Sequence, residues 1–374
     1  MSREYAHLST AVQLLQSYRG TEPFAVFLKR FFSQHKKYGS RDRKQIARYC
    51  YAAFRLGNLL KDATPEERVL AGLFLTVSTA QPLLQQLRPE WQQQVSLPPE
   101  VKLRLAVPGS NIAQLFPAPE QLSANIQPDA FAWSHLQQPQ LFLRVRPGYH
   151  ETVTGVLKNA GVDFKEPRPN CIAVPNGTPA EQLLHINQQV VVQDFSSQRV
   201  GELLQQLPAG ITRVWDCCAA SGGKSILMHD LLPGIKITVS DTRTSILSNL
   251  KTRFATAGIR YEKLLKLNLL QDPLPCHACY DLVLADVPCS GSGTWGRTPE
   301  QLYYFQPETI QHYAQLQAQL VARVLPAIKP GGFLLYCTCS VYRDENEEQV
   351  RHLVDAHGLQ LLHSELLTGY TWQA

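Results

Sequence analysis

The stretch TRVWDCCAASGGKS, residues 212–225, decides the fold. An apolar run closes on Asp216, small residues follow, and a helical pattern begins near Lys224. Small residues let the backbone approach a ligand, and a helix N-terminus offers N–H groups with no partner in the helix. This is not a phosphate loop of the G-x-x-x-x-G-K type, because Gly222 and Gly223 are adjacent and the first glycine is missing. The next strand-like run ends in Ser240-Asp241. An acid about 20 residues beyond a glycine loop is placed to accept ribose hydroxyls. Loop and acid together read as a site for a nucleoside-containing cofactor, against the plainer reading of a tight structural turn.

Outward from this stretch, strand and helix patterns alternate, which signals a parallel sheet wrapped by helices. Expected strands are Thr212–Asp216, Lys236–Ser240, Tyr261–Leu267, Asp281–Asp286 and Phe333–Thr338. Helices are expected over Gln306–Ile328 and Glu345–Ala356. In such sheets the residues at the carboxyl ends of strands face the ligand crevice. The strand ending at Asp286 leads into Val287-Pro288-Cys289-Ser290, and the last one leads into Thr338-Cys339-Ser340.

A buried cysteine is usually a small apolar filler. Two at strand ends, one after Asp-x-Pro, suggest chemistry instead. Carbon 5 of cytosine is a poor nucleophile. A thiolate that adds to carbon 6 makes carbon 5 able to attack an electrophilic methyl. A carboxylic acid near N3 stabilises the developing anion, and Asp286 is placed for it. Spacing alone does not say which thiol attacks and which assists.

Composition bounds the rest. The 374 residues are 44% hydrophobic and 18% charged, enough for two or three domains with sizeable cores. No apolar run reaches the roughly 20 residues that span a bilayer, and MSREYAHLST has no signal-peptide core, so a soluble cytoplasmic protein without membrane contact is expected. Its nine cysteines are then expected as thiols. Cys276-His277-Ala278-Cys279 looks like half a zinc site, but no second well-spaced pair follows, and no metal is expected. Net charge is only +5. Between Lys29 and Arg48, however, lie eight Lys or Arg and one acid, Asp42. Such a run suits a phosphate backbone, or is a solvated helix face.

Three regions follow. Residues 1–135 read as a helical N-terminal region, with breakers such as Pro98-Pro99 and Pro108-Gly109 making the segment after 81 connecting rather than catalytic. Residues 136–190 read as a small α+β module. It has strands at Leu141–Arg146, Val162–Phe164 and Cys171–Val174, a helix over His150–Ala160 and Gly161 to end it. Its Arg144, Arg146, Lys158, Lys165 and Arg168 fit an RNA-binding platform. Residues 191–374 form the α/β domain.

These strings resemble the S-adenosylmethionine-dependent RNA cytosine-5 methyltransferases of the RsmB/Nop2/Sun family. The matching pieces are Gln193–Gln198, Asp216–Lys224, Asp241, Asp286–Gly293, and Tyr336–Ser340 followed by Glu345-Asn346-Glu347. The resemblance covers most of residues 140–365. It implies an α/β class I (Rossmann-like) methyltransferase domain behind an RRM-like module. Ser40–Arg43 and Phe54-Arg55 are similar to the helical, NusB-like N-terminus of the RsmB branch, which favours ribosomal RNA over tRNA as the partner. The resemblance implies that Cys339 attacks and that Cys289 promotes product release, with Asp286 and Lys224 at the reacting base. It further implies that Cys218, Ala219, Ala220, Ser221, Gly222, Gly223, Lys224, Asp241, Asn268 and Asp286 hold S-adenosylmethionine. A monomer is expected.

Three departures from the family pattern stand out. Ser221 replaces the usual Pro, and Asn268 replaces the usual Asp. Such a sheet normally ends with an antiparallel strand after the one near Leu359–Leu362, yet no strand-like run follows Gly369, so a truncated C-terminus is expected. The competing reading is a non-catalytic RNA-binding or ribosome assembly factor on the same fold. It predicts loss of a thiol or of a cofactor acid, and all are present.

Overall fold

The structure is a computed structural model that describes residues 2–369. Four helices, Arg3–Ser17, Phe24–Gln34, Ser40–Arg55 and Pro65–Thr76, open the chain. Their apolar spacing puts Leu8, Leu14, Phe24, Ile46, Tyr49, Phe54 and Phe74 into one core. Thr64 caps the fourth helix, accepting from the Glu67 N–H while Glu67 accepts from the Thr64 N–H, with Pro65 at the first turn. At Gly72 a Cβ would lie 2.1 Å from the Ala52 carbonyl oxygen, so only glycine lets the third and fourth helices pack this closely.

The small module is a four-stranded antiparallel sheet in the order β2-β3-β1-β4, from β1 Leu141–Val145, β2 Lys165–Arg168, β3 Cys171–Val174 and β4 Val190–Val192. The helix His150–Asn159 packs Val153 and Leu157 onto Leu143, Val145, Ile172 and Val174. The strand expected at 162–164 forms instead at Lys165–Arg168. Val162 and Phe164 are the half-buried connector that packs on this core, and their alternation mimics a strand. The sheet also extends past residue 190, because Val190–Val192 pairs with β1.

A five-stranded, all-parallel sheet follows in the order β7-β6-β5-β8-β9, from β5 Arg213–Asp216, β6 Lys236–Asp241, β7 Lys263–Lys266, β8 Tyr280–Asp286 and β9 Ile328–Cys337. The strand order reverses at β5, so the crevice opens over the ends of β5, β6 and β8. Trp215, Val283 and Val321 fill one side, and Val214, Ile226, Val239 and Phe254 the other. This is a Rossmann-like α/β domain. The helix expected over 306–328 is shorter, Thr309–Val324. Pro326 lies beyond its end, and Ile328 already begins β9. No strand forms at Leu359–Leu362, where Leu361 and Leu362 are 53% and 65% exposed. An exposed apolar pair without a neighbouring strand lacks both the ladder and the covered face that a strand needs. Trp372-Gln373-Ala374, the expected truncation point, lies outside the described residues.

Two further expectations are corrected. Cys276 and Cys279, expected as thiols, are disulfide-bonded across the turn that holds Ala278 at φ 49°. Residues 112–136 do more than connect. Leu115, Phe116 and Phe131 share a core with Trp295 and Tyr342. Leu122 bridges Tyr342, the Ser123 N–H donates to the Val341 carbonyl, and the Tyr342 hydroxyl donates to the Pro117 carbonyl. The segment braces the chain just after Cys339.

Candidate active site

The loop after β5 is pinned from both sides. The Cys217 N–H donates to the Leu284 carbonyl of β8, and the Ala219 N–H to the Ser240 carbonyl of β6. The Ser240 hydroxyl donates to the Cys217 carbonyl and accepts from the Trp215 indole. Gly222 turns the chain at φ +81°, and a Cβ there would press within 3.0 Å of Phe254. A Cβ at Gly223 would meet nothing within 4 Å, so open space lies before the helix Gly223–Leu231. The first N–H groups of that helix and the open space beside Gly223 fit a nucleoside-type ligand.

Ser221, in place of proline, accepts two hydrogen bonds from Arg253, at 2.7 Å on its hydroxyl and 2.8 Å on its carbonyl. Arg253 also donates to Asn187 of the small module. Asp216 lies beneath the loop, 1% exposed, with the Ser225 hydroxyl 2.5 Å from its carboxyl. Burial pushes its pKa up to about 7.

Asp241 closes β6 and accepts from the Ala220 N–H at 3.1 Å. Arg243 also donates to both its oxygens, at 3.0 and 3.1 Å. Burial alone would raise the Asp241 pKa, but the Arg243 and backbone donors outweigh it and hold the carboxylate low. Asn268 is half committed to its own turn: its side-chain oxygen accepts from the Leu270 N–H, while its backbone N–H donates to Asp272.

Register brings the remaining groups together. Asp286 of β8 stands opposite Cys337 of β9, so Cys289 and Cys339 leave adjacent strand ends side by side. Their sulfurs are 3.3 Å apart. Cys289 is half-buried and Cys339 exposed. The hydrogen bond between the two thiols draws Cys339 below its usual range against the opposing desolvation. The same bond, with desolvation, drives the Cys289 thiol well above it. Lys224 Nζ reaches Asp286 Oδ2 at 2.7 Å. Burial would lower Lys224, but Asp286 and neighbouring thiols more than offset it and hold the ammonium protonated. Cys337, the cross-strand partner of Asp286, is pushed up to about 12 by burial.

Sequence reading assigned no role to Arg243, Arg253, Gln317 or Glu345. Their partners are remote in sequence or, for Arg243, hidden by the exposed look of a helix start. Arg144 and Arg146, expected on an RNA platform, are buried instead. Arg144 Nη1 lies 2.6 Å and Arg146 Nη2 2.9 Å from Asp230. Arg146 also donates to the Asn187, Gln188 and Ala257 carbonyls. They join the small module to the α/β domain, because no strand position facing that domain can leave a guanidinium in water.

Residues 205–371 match the family 16S rRNA methyltransferase RsmB/F. The ribosomal RNA small subunit methyltransferase B of Cronobacter sakazakii is 31% identical over 230 residues, 58% of this chain and 51% of that protein. The protein of the same name from Klebsiella pneumoniae is 30% identical over 219 residues, 57% and 50% of the two chains. The chain thus spans about half the length of the curated relatives it matches. Among solved structures, the crystal structure of PH0851 aligns over 99% of this chain and 95% of its own at TM-score 0.71 and 21% identity. NSun6 from Pyrococcus horikoshii aligns over 69% and 89% at TM-score 0.55 and 14% identity. Both likenesses bear on the fold. With its Rossmann-like sheet and paired strand-end cysteines, the α/β domain of this chain is similar over residues 205–371 to the RsmB/F methyltransferases.

Proposed function

We propose that this chain methylates carbon 5 of a cytosine in RNA, ribosomal RNA being the favoured substrate, through a covalent adduct between Cys339 and carbon 6. S-adenosylmethionine is the cofactor and supplies an electrophilic methyl when bound. The observation that carries the reading is the pair of sulfurs 3.3 Å apart at the ends of two adjacent strands, beside the Lys224–Asp286 pair.

Residues 218–224, Asp241, Asn268 and Asp286 would hold the cofactor. The Cys339 thiolate adds to carbon 6 and breaks the 5,6 double bond, and the electron pair passes to carbon 5. Lys224 and Asp286 face the polar edge of the base and stabilise the charge that builds there. After methylation a solvent base takes the carbon-5 proton, the C–H electron pair re-forms the 5,6 double bond, and Cys339 leaves as the thiolate, its departure assisted by the neighbouring Cys289 thiol.

Separate alanine variants test this on total cellular RNA. Cys339→Ala abolishes methyl transfer while calorimetry shows cofactor binding retained. Cys289→Ala accumulates a protein–RNA adduct stable in denaturing gels, and the double variant does not. Exchanged phenotypes would make Cys289 the nucleophile. If bisulfite sequencing showed no site dependent on the wild-type protein, the non-catalytic assembly reading would replace this one.

A further inference from the structure

Glu345 is wholly buried, at 0% exposure, and lies close behind both cysteines. One carboxylate oxygen, Oε2, accepts from the Ser290 N–H at 2.8 Å, the residue after Cys289. The other, Oε1, accepts from the Ser340 hydroxyl at 2.6 Å, the residue after Cys339. Gln317, also wholly buried, donates to Oε2 at 3.0 Å and to the Pro288 carbonyl at 3.0 Å. The Tyr336 hydroxyl donates to the Glu345 carbonyl at 2.7 Å, tying the same residue to β9. The Ser290, Ser292 and Ser340 hydroxyls close the network between the two loops.

A buried carboxylate is costly unless its lone pairs are filled. Here the donors come from both thiol-bearing loops, so the charge is satisfied only while the loops stand side by side. We propose that Glu345 is the positioning residue of the reaction: a buried clamp that holds the Cys289 and Cys339 loops in register and so keeps the two sulfurs in contact. It touches no reacting atom. The mechanistic value of the clamp rests on the function proposed above, but the clamp itself can be measured without it.

The test uses the full chain and the diazene oxidant diamide. As a Cys289–Cys339 disulfide forms, diamide takes up the two thiol hydrogens and two electrons and becomes the hydrazine. Peptide mapping reads the rate and separates this link from Cys276–Cys279. Glu345→Asp keeps the charge but withdraws the carboxylate by one methylene. Linking is expected to slow about tenfold, the scale of one charge-assisted hydrogen bond. The pH midpoint for iodoacetamide alkylation of Cys339 is expected to rise as the Cys289 donor withdraws. The other groups facing Cys339, which are Asp286, Lys224 and the carboxylate at 345, keep their charges in this variant. Methyl transfer loses kcat while the cofactor KM holds. Wild-type linking and alkylation in Glu345→Asp would overturn the proposal. If that variant does not fold, Ser340→Ala carries the same test in the same direction, and an unchanged rate there overturns it. Slowed linking in a protein without methylation on any RNA would keep the clamp and reject the function.

Discussion

Asp241, 8% exposed, is ion-paired with Arg243. The acid stands at the end of β6, but Arg243 spans both its oxygens. A ribose diol needs those lone pairs. Asp241→Ala should weaken S-adenosylmethionine binding by about 1–3 kcal/mol, the worth of charged hydrogen bonds. Arg243→Ala should tighten it, because the acceptor is then free; calorimetry on both variants decides, and weaker binding in Arg243→Ala would make the guanidinium a cofactor contact. Asp216 gives a stability prediction. Its pKa is about 7 in the folded chain against an ordinary value of 3.8. Between those values the folded state holds a proton that the unfolded state has released, so Asp216 contributes stability at low pH that is lost as pH rises to about 7. The Tm of the wild type minus that of Asp216→Asn should therefore fall from pH 4 to pH 7 and level off above. A flat difference would mean that Asp216 titrates normally.

Between elements, buried charge does the joining. Asp230 on the helix Gly223–Leu231 takes both guanidiniums from β1 and the residue after it. Removing one partner of a buried pair costs about 3–5 kcal/mol, because the remaining charge stays buried. Asp230→Ala should lower the unfolding free energy by that order, read as a fall in the urea midpoint. An unchanged midpoint would show that the carbonyls around Arg146 suffice. Arg55 plays a similar part for the N-terminal helices. At 5% exposure, it donates to the His135, Gln137 and Gly296 carbonyls and to the Gln138 side chain. Gly296 lies in the loop that runs on from Cys289, so the helical region is bonded directly to the side of the α/β domain that carries Cys289.

Across the whole molecule the basic groups divide in two. Lys29, Arg30, Lys36, Lys37, Arg41, Lys44 and Arg48 are exposed on the second and third helices and the turn between them. Each phosphate contact releases counterions, so replacing four of these with Gln should weaken binding to every RNA and flatten its salt dependence by about 0.7–0.9 per lost contact. Arg144→Gln and Arg146→Gln should leave that slope unchanged while lowering the Tm. Filter binding across a salt series separates the two sets, and a reduced slope for Arg144→Gln would place the small module on the RNA after all. No helix among the described residues is long and apolar enough to cross a membrane.

The alternation that makes a parallel sheet, the loop from Asp216 to Lys224, and the positions of Asp241, Asp286, Cys289 and Cys339 were legible in the chain before any packing was known. These features are local: strand periodicity, small residues at a turn and acids at strand ends follow from neighbours in the chain. Tertiary structure alone decided how the two thiols meet, because that depends on the register of β8 against β9 and on a buried carboxylate at 345. It also decided that Arg144 and Arg146 face a buried acid rather than phosphate. A basic residue looks the same in sequence on either face of a strand, and only packing shows which face meets water. Pairing likewise decided against a strand at Leu359–Leu362, since a strand needs a neighbour that its own residues cannot supply.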